Sequence, residues 1–157
     1  MFQRFTNEAV RALSVACVIA HSAQRKLVDI PDLAAGALIA LEAPQESDTA
    51  ARSKQIVLET LGIQPPEDIQ SGQALDVAFN DSVRRLLKCS VDIADRLGHH
   101  RIRPEHLLLA IFQEGSVAVV KSLQVAELSP VALADSAARA ATLEDTPLQF
   151  TAHLKLG

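Results

Sequence analysis

The chain has 157 residues and a mass of 16.8 kDa, with 48% hydrophobic and 22% charged residues, which is close to the composition of a soluble globular domain. Its 15 basic and 19 acidic residues give a net charge of −4, and only 3% of the residues are aromatic, so we expect no nucleic-acid partner. Charges interrupt the apolar stretches before the roughly 20 residues of a membrane span, and no signal peptide is evident, so we expect no membrane association.

The two cysteines, Cys17 and Cys89, lack CxxC spacing and lie in apolar helical patterns. This is typical of buried free thiols in a reducing compartment. We therefore expect a cytoplasmic protein.

An internal duplication organises the chain. Phe79 follows Phe5 by 74 positions, and the two halves align at this offset without a gap for about thirty residues. Residues spaced by three and four within the aligned segments predict the buried face of an amphipathic helix in each half. These residues are Ala9, Ala12, Leu13, Ala16, Cys17, Ala20 and Ala23 in the first half, and Val83, Leu86, Leu87, Ser90, Val91, Ala94 and Leu97 in the second.

Each half is therefore predicted to begin with a long helix, over Asn7–Lys26 and Asp81–Gly98. Short polar side chains cap such helices because they accept hydrogen bonds from the free amides of the first turn. Glycine ends helices because it readily adopts a left-handed conformation. The predicted caps are Thr6 or Asn7 for the first helix and Asn80 or Asp81 for the second, which Gly98 ends.

Shorter helices are predicted to follow in both halves. Pro31 and Pro104 mark the first turn of a second helix, where proline's missing N–H costs no hydrogen bond. Gly62 is predicted to end the third helix of the first half. The third helices are expected near Thr49–Leu61 and Ser116–Leu123, while Pro65-Pro66 and Ser129-Pro130 open the fourth helices, the last of which extends to Leu143.

The predicted fold class is all-α, with two four-helix repeats related by pseudo-twofold symmetry and packed into one domain over residues 1–143. The first repeat covers about residues 5–70 and the second covers 79–143. A linker joins them at about 70–74, and the tail at 144–157 follows neither copy. We expect no strands.

No catalytic motif is recognisable in the sequence. The six glycines are scattered singly, so there is no phosphate-binding GxxxxGK[ST] loop, and there is no GxSxG nucleophile elbow. We therefore expect no enzyme activity, no catalytic residue and no cofactor.

The polar cluster from His99 to His106 leaves three interpretations open. The residues His99, His100, Glu105 and His106 could form the metal site of a hydrolase, although the HExxH spacing is missing and we expect no metal. Alternatively, a histidine satisfies loop backbone groups while Glu105 interacts with the dipole of the helix that it begins. The third interpretation is a site for a zwitterionic ligand, whose anionic group meets free helix amides and whose cationic group meets the carboxylate.

The segment from Phe79 to Ile111 carries a more specific pattern. Its F-N is followed eighteen residues later by G-H-x-x-I-x-P-E-H-L-L-L-A-I, which closely resembles the Clp amino-terminal repeat, F-T followed by G-H-x-x-I-x-x-E-H-L-L-L. The opening M-F-Q-R-F-T resembles the start of a ClpC-type domain, and the resemblance extends to about Leu143. The first copy departs from the pattern, since Gln24-Arg25 replace Gly-His and Pro31-Asp32 replace Glu-His.

The resemblance implies a non-catalytic, all-α domain related to the one that sits flexibly on AAA+ unfoldases and recruits degradation substrates and adaptor proteins. We expect a stand-alone copy without its ATPase, acting as an adaptor or a decoy. The implied partners also include a Clp ATPase and cyclic-peptide antibiotics. The alternatives are an excised piece of a larger unfoldase and a structural partner that only docks on a Clp ATPase–protease complex.

In the ClpC branch, the resemblance implies a pocket for phosphorylated arginine in each repeat, where the Glu of E-H-L-L binds the guanidinium and residues near F-T help bind the phosphate. Glu105 matches this Glu in the second repeat, where Asn80 replaces the Thr. In the first repeat Thr6 is kept, but Pro31 replaces the Glu, so we expect that pocket to be disabled. The family's apolar docking surface is matched by Phe2 and Phe79, for which core packing is the alternative. Arg103 lies at a cap position that Ser or Thr often fills.

Overall fold

The computed structural model describes residues 3–41, 48–63, 78–115, 117–125 and 128–141. These residues form seven helices and two strands of two residues each, which confirms the all-α class. The predicted linker at 70–74, the helix opened by Pro65-Pro66 and the tail at 144–157 lie outside the described residues. The helices are α1 (Asn7–Ser22), α2 (Ile30–Ala40), α3 (Asp48–Leu61), α4 (Asp81–Arg96), α5 (Pro104–Glu114), α6 (Val117–Val125) and α7 (Pro130–Ala141), and the strands are β1 (Leu27–Val28) and β2 (Ala78–Phe79).

The two long helices begin at the predicted caps. The side chain of Thr6 accepts a hydrogen bond from the amide of Ala9 at 3.1 Å. The side chain of Asn80 accepts one from the amide of Val83 at 2.9 Å. Because Thr6 and Asn80 are 74 positions apart, the duplication extends to the hydrogen bonds that start the helices.

The long helices end at Ser22 and Arg96, and each is followed two residues later by a residue in the left-handed conformation. Gly98 has a φ of 74°, as its residue type predicts, and Gln24 has a φ of 60° at the equivalent position of the first repeat. A residue with a Cβ pays about 1–2 kcal/mol for this conformation, which is why the sequence did not indicate a helix end at Gln24. The last predicted apolar positions, Ala23 and Leu97, consequently lie at the ends of the helices and are exposed, not buried.

Short parallel pairings cross between the two repeats. β1 of the first repeat pairs with β2 of the second, with Val28 opposite Phe79. A second crossing joins the start of the first repeat to the second repeat, where Phe5 forms a parallel bridge with Ile102. The 74-residue offset relates one pair to the other, so each repeat contributes one partner to both crossings. The sequence predicted no strands, and segments of two residues are too short to show an alternating pattern.

Backbone hydrogen bonds make these crossings reciprocal. The amide of Thr6 donates to the carbonyl oxygen of Ile102 at 3.0 Å, and the amide of Asn80 donates to that of Val28 at 3.1 Å. The N-cap of each long helix is therefore bonded to the segment just before the second helix of the other repeat. This arrangement fixes where α2 and α5 begin.

α2 and α5 form the centre of the core and contact each other. Eight residues of each helix are buried, far more than an amphipathic face requires, so both are enclosed on nearly all sides. The apolar faces predicted for α1 and α4 pack around them. Cys89 is buried and Cys17 is partly buried, and burial raises the pKa of both thiols.

Among the described residues, no single helix is long and apolar enough to cross a membrane. The bent pair α6 and α7 passes that test only when the two are taken together, by length and composition.

α1 and α2 approach each other at Gly36. A Cβ at this position would collide with the carbonyl oxygen of Ala12 and would lie 3.1 Å from the amide nitrogen of Ala16. The space between the two helices is thus closed by backbone atoms, which cannot rotate away as a side chain can.

We predict that Gly36→Ala destabilises the fold by about 1–3 kcal/mol, the usual cost of overpacking a core. At an exposed helix position the same substitution stabilises by about 0.5–1 kcal/mol, so the sign of the change is diagnostic. Urea unfolding followed by circular dichroism measures it. Asp92→Ala, at an exposed position of α4, is the control for helix propensity alone. A Gly36→Ala protein as stable as the wild type would contradict the close approach.

Candidate functional site

Among the described residues, the first turn of α5 holds two buried ionisable side chains. Arg103 is the N-cap, Pro104 is the first helical residue, and Glu105 and His106 follow it. The side chains of Glu105 and His106 are 3% and 0% exposed. A helix start tolerates polar and acidic groups because its first amides lack intrahelical acceptors and its dipole favours negative charge.

His106 supplies the acceptor that the helix start requires. Its Nδ1 accepts a hydrogen bond from the backbone N–H of Arg103 at 2.8 Å, so the proton of the neutral ring is on Nε2. Nε2 lies 2.9 Å from Nδ1 of His99 and donates to it. Burial, followed by His99, Arg103 and Arg4, lowers the pKa of His106 to about 4. The ring is therefore neutral at pH 7 and links α5 to the turn after α4.

The first repeat makes the same link with different chemistry. Arg25 and Asp32 stand at the positions equivalent to His99 and His106. The carboxylate of Asp32 accepts from the amide of Asp29 at 2.9 Å and binds the guanidinium of Arg25 through two bonds of 2.6 and 2.7 Å. In both repeats, the third residue of the helix satisfies the N-cap amide and is held by the residue after the left-handed turn. His99 of the G-H motif and His106 of the E-H motif are thus the two partners of one structural contact.

The geometry favours the structural interpretation of His99 and His106 over a metal site. The ring nitrogens that face each other are joined by a hydrogen bond, and Nδ1 of His106 is occupied by a backbone amide. In the described part of the chain, no three His, Cys, Asp or Glu residues are grouped in a way that could hold a metal ion. His100 is exposed, and its carbonyl oxygen accepts from Nε of Arg4 at 3.0 Å.

Glu105 is a buried carboxylate held by two side chains. Its Oε2 lies 3.3 Å from Nε of Arg103 and 3.3 Å from the hydroxyl of Ser136 on α7. The sequence did not indicate Ser136, because it lies 31 positions from Glu105 on a helix outside the aligned segments. A carboxylate at a helix start, with donors on both sides, is suited to hold a guanidinium or ammonium group.

The structure groups the other predicted binding residues crosswise. Asn80 lies beside the start of α2, where its Nδ2 donates to Asp29 at 2.9 Å. Thr6 is buried and bonded to Ile102, three residues before Glu105. The family resemblance implies a pocket that contains both Asn80 and Glu105. The crossed pairings put the N-cap of each repeat beside the second helix of the other repeat.

Phe79 is partly buried against the core and lies on β2, next to Asn80. It therefore contributes to packing, as the alternative interpretation of this residue proposed, and leaves part of its ring accessible. Phe2, the other predicted member of the apolar surface, lies outside the described residues.

An apolar groove of about 460 Å³ lies between α4, α5 and α7, and we call it the α4–α5–α7 groove. Leu97 is 43% exposed and Val131 is 80% exposed at this groove. The sequence did not predict this groove, because the spacing of the apolar residues places Leu97 on a buried helix face. The lining residues are Ile93, Arg96, Leu97, Leu109, Phe112, Gln113, Pro130, Val131 and Ala134.

Comparison with known proteins places these features in a family. The family model of the Clp repeat (R) N-terminal domain matches residues 4–126. The chloroplastic ClpA homolog of the Clp protease ATP-binding subunit from Brassica napus is 28% identical over 127 residues, and so is chaperone protein ClpC1 from Oryza sativa. Each match covers 79% of this chain and 14% of the relative, so the chain spans about one seventh of these proteins.

Solved structures show the same fold. The N-terminal domain of ClpD from Arabidopsis thaliana has a TM-score of 0.64 and 20% identity, over 88% of this chain and 98% of that one. The Hsp104 N-terminal domain from Candida albicans has a TM-score of 0.56 and 14% identity, over 86% of this chain and 89% of that one. At these identities, the likeness establishes the fold and nothing further.

The His99–His106 contact predicts a loss of stability in acid. The unfolded chain protonates His106 near pH 6.5, but the folded chain does so only near pH 4, so falling pH favours the unfolded state between these values. The contribution of His106 is fully present above pH 6.5, and about 3 kcal/mol is lost by pH 4. Urea unfolding at a series of pH values measures this slope.

The matched control is the double variant His99→Arg/His106→Asp, which transplants the Arg25–Asp32 pair into the second repeat. We expect it to fold and to show a shallower dependence of unfolding free energy on pH between 6.5 and 5. Equal slopes in the wild type and the double variant would mean that the buried histidine does not cause the acid sensitivity.

Proposed function

This chain belongs to the Clp repeat (R) N-terminal domain family, and we propose that it is a non-catalytic recognition domain that binds degradation substrates or adaptor proteins. In this role it acts by equilibrium binding, as an adaptor that delivers cargo to a Clp unfoldase or as a decoy that withholds it. The fold shared with Clp N-terminal domains supports the proposal. So does the presence on α5 of both a buried carboxylate, in the first turn, and residues that line an apolar groove.

The finer proposal is that Glu105 binds the guanidinium of a phosphorylated arginine. The observation that carries it is a carboxylate that is 3% exposed, lies in the first turn of α5 and already accepts bonds from a guanidinium and a hydroxyl. The helix start also favours a negative group nearby, which suits the phosphate of the same ligand. The first repeat has Pro31 in place of the Glu, so only one such site is proposed.

Calorimetric titration with free phosphoarginine tests the finer proposal. We expect one site in the wild type and at least a 100-fold loss of affinity in Glu105→Gln, because removing one partner of a buried charge pair costs a few kcal/mol. Glu114→Gln, at the exposed end of the same helix, is the matched control and should bind as the wild type does. Two equal sites would show that the first repeat also binds. The absence of binding would reject the phosphoarginine proposal.

A second candidate function is docking on a Clp ATPase–protease complex without capture of cargo. The α4–α5–α7 groove favours it, since solvent-exposed Leu97 and Val131 are the residue types that protein interfaces bury. We expect Val131→Asp to weaken assembly with a Clp ATPase more than tenfold in this case, while Glu105→Gln leaves assembly unchanged. Co-sedimentation with the purified ATPase measures both variants. The opposite ranking of the two variants would contradict docking through the α4–α5–α7 groove.

A further inference from the structure

A cavity of about 220 Å³ lies where the start of α2, the first turns of α4 and the end of α5 meet, and we call it the α2–α4–α5 cavity. Glu114, the last residue of α5, lines it, whereas Glu105 is in the first turn of the same helix. At a rise of about 1.5 Å per residue, the two positions are roughly 14 Å apart along the helix, so the cavity is distinct from the Glu105 site. The lining residues are Ile30, Ser82, Arg85, Leu86 and Glu114.

The α2–α4–α5 cavity contains a cation and an anion that do not pair with each other. Arg85 supplies a guanidinium and Glu114 supplies a carboxylate, and both residues are exposed. Within the described part of the chain, neither side chain forms a hydrogen bond or an ion pair. Opposite charges that line one cavity without joining leave room for a ligand that carries both charges itself.

The cationic side of the cavity is built by α4. Ser82 precedes Arg85 by three positions, so the two side chains are neighbours on one helix face. The guanidinium donates to a carboxylate through a planar fork, and the hydroxyl of Ser82 supplies a further donor. Asp81, which would repel a carboxylate, does not line the cavity. This side therefore suits the carboxylate of a ligand.

The apolar part of the cavity is formed by Leu86 and Ile30. Leu86 is 1% exposed, and Ile30 is partly buried against the core. A short aliphatic side chain that contacts them removes apolar surface from water, whereas a charged side chain would lose its hydration there. The cavity therefore excludes arginine and phosphoarginine, the ligand chemistry proposed for Glu105. Its volume is also below the ~300–1,000 Å³ of pockets for drug-sized ligands, so a small metabolite fits it.

From this arrangement we propose that the α2–α4–α5 cavity binds a free aliphatic amino acid. The carboxylate of the ligand binds Arg85 and Ser82, its ammonium group binds Glu114, and its side chain packs on Leu86. The proposal goes beyond the recognition function proposed above and does not depend on it, because the two sites share no residue. Since α2 belongs to the first repeat and both α4 and α5 belong to the second, the bound ligand stabilises the junction of the repeats.

Calorimetric titration with L-leucine tests the proposal on the whole chain. Isocaproate has the carbon skeleton of leucine without the ammonium group, and isoamylamine has it without the carboxylate. We expect each to bind at least tenfold more weakly than leucine, because each lacks one charged contact. Isocaproate that binds as tightly as leucine would overturn the role of Glu114. The absence of leucine binding up to about 10 mM would overturn the site.

Variants at the two charged positions locate the site. We expect Arg85→Gln and Glu114→Gln each to weaken leucine binding at least tenfold, whereas Arg84→Gln, an equal change of charge at the next exposed position of α4, should bind as the wild type does. Equal losses in the two arginine variants would contradict the proposal. Leucine should also raise the urea midpoint of the wild type but not that of Glu114→Gln. Because phosphoarginine is excluded from this cavity, failure of either proposal leaves the other one standing.

Discussion

The crossed backbone pairings between the repeats are the constraint on which the rest of the structure depends. Phe5 pairs with Ile102 and Phe79 pairs with Val28, so the segment before the second helix of each half is bonded to a segment of the other half. Two small helical units would bury too little surface to be stable separately. The crossings make them one domain and fix the starts of α2 and α5 relative to the caps of α1 and α4. Every candidate binding residue in the described part of the chain lies on or beside these four starts, apart from the residues of the α4–α5–α7 groove and of the α2–α4–α5 cavity.

The two repeats show which requirement of the fold is strict and which is free. The N-cap amide of the second helix needs an acceptor, and both Asp32 and His106 provide one at nearly the same distance. The side chain that holds this acceptor is a guanidinium in the first repeat and an imidazole ring in the second. The pair therefore differs as a unit between the repeats, a guanidinium with a carboxylate in the first and two imidazole rings in the second. In α5, the buried carboxylate of Glu105 is not needed for this hydrogen bond, because His106 accepts it.

Much of this could be predicted from the sequence, because helix faces, caps and glycine ends are local signals. Thr6, Asn80, Gly62 and Gly98 have the roles that their residue types indicate. Contacts between distant segments could not be predicted in the same way. One crossing is a pair of two-residue strands and the other is a single bridge, and both are too short to show an alternating pattern. The contact between Ser136 and Glu105 has no sequence spacing that a pattern could reveal. The contacts of Asn80 with Val28 and Asp29, at the start of α2, follow from the crossings and have no local signal in the sequence. The cytoplasmic location stays a prediction.

The position of α7 connects two of the surfaces that the domain offers. Ser136 on this helix binds Glu105, while Pro130, Val131 and Ala134 on the same helix line the apolar groove. Arg103 and Ser136 both contact Oε2 of Glu105, so a ligand that binds this oxygen competes with them. Because α7 supplies Ser136 to the carboxylate and Val131 to the groove, one helix contacts both surfaces.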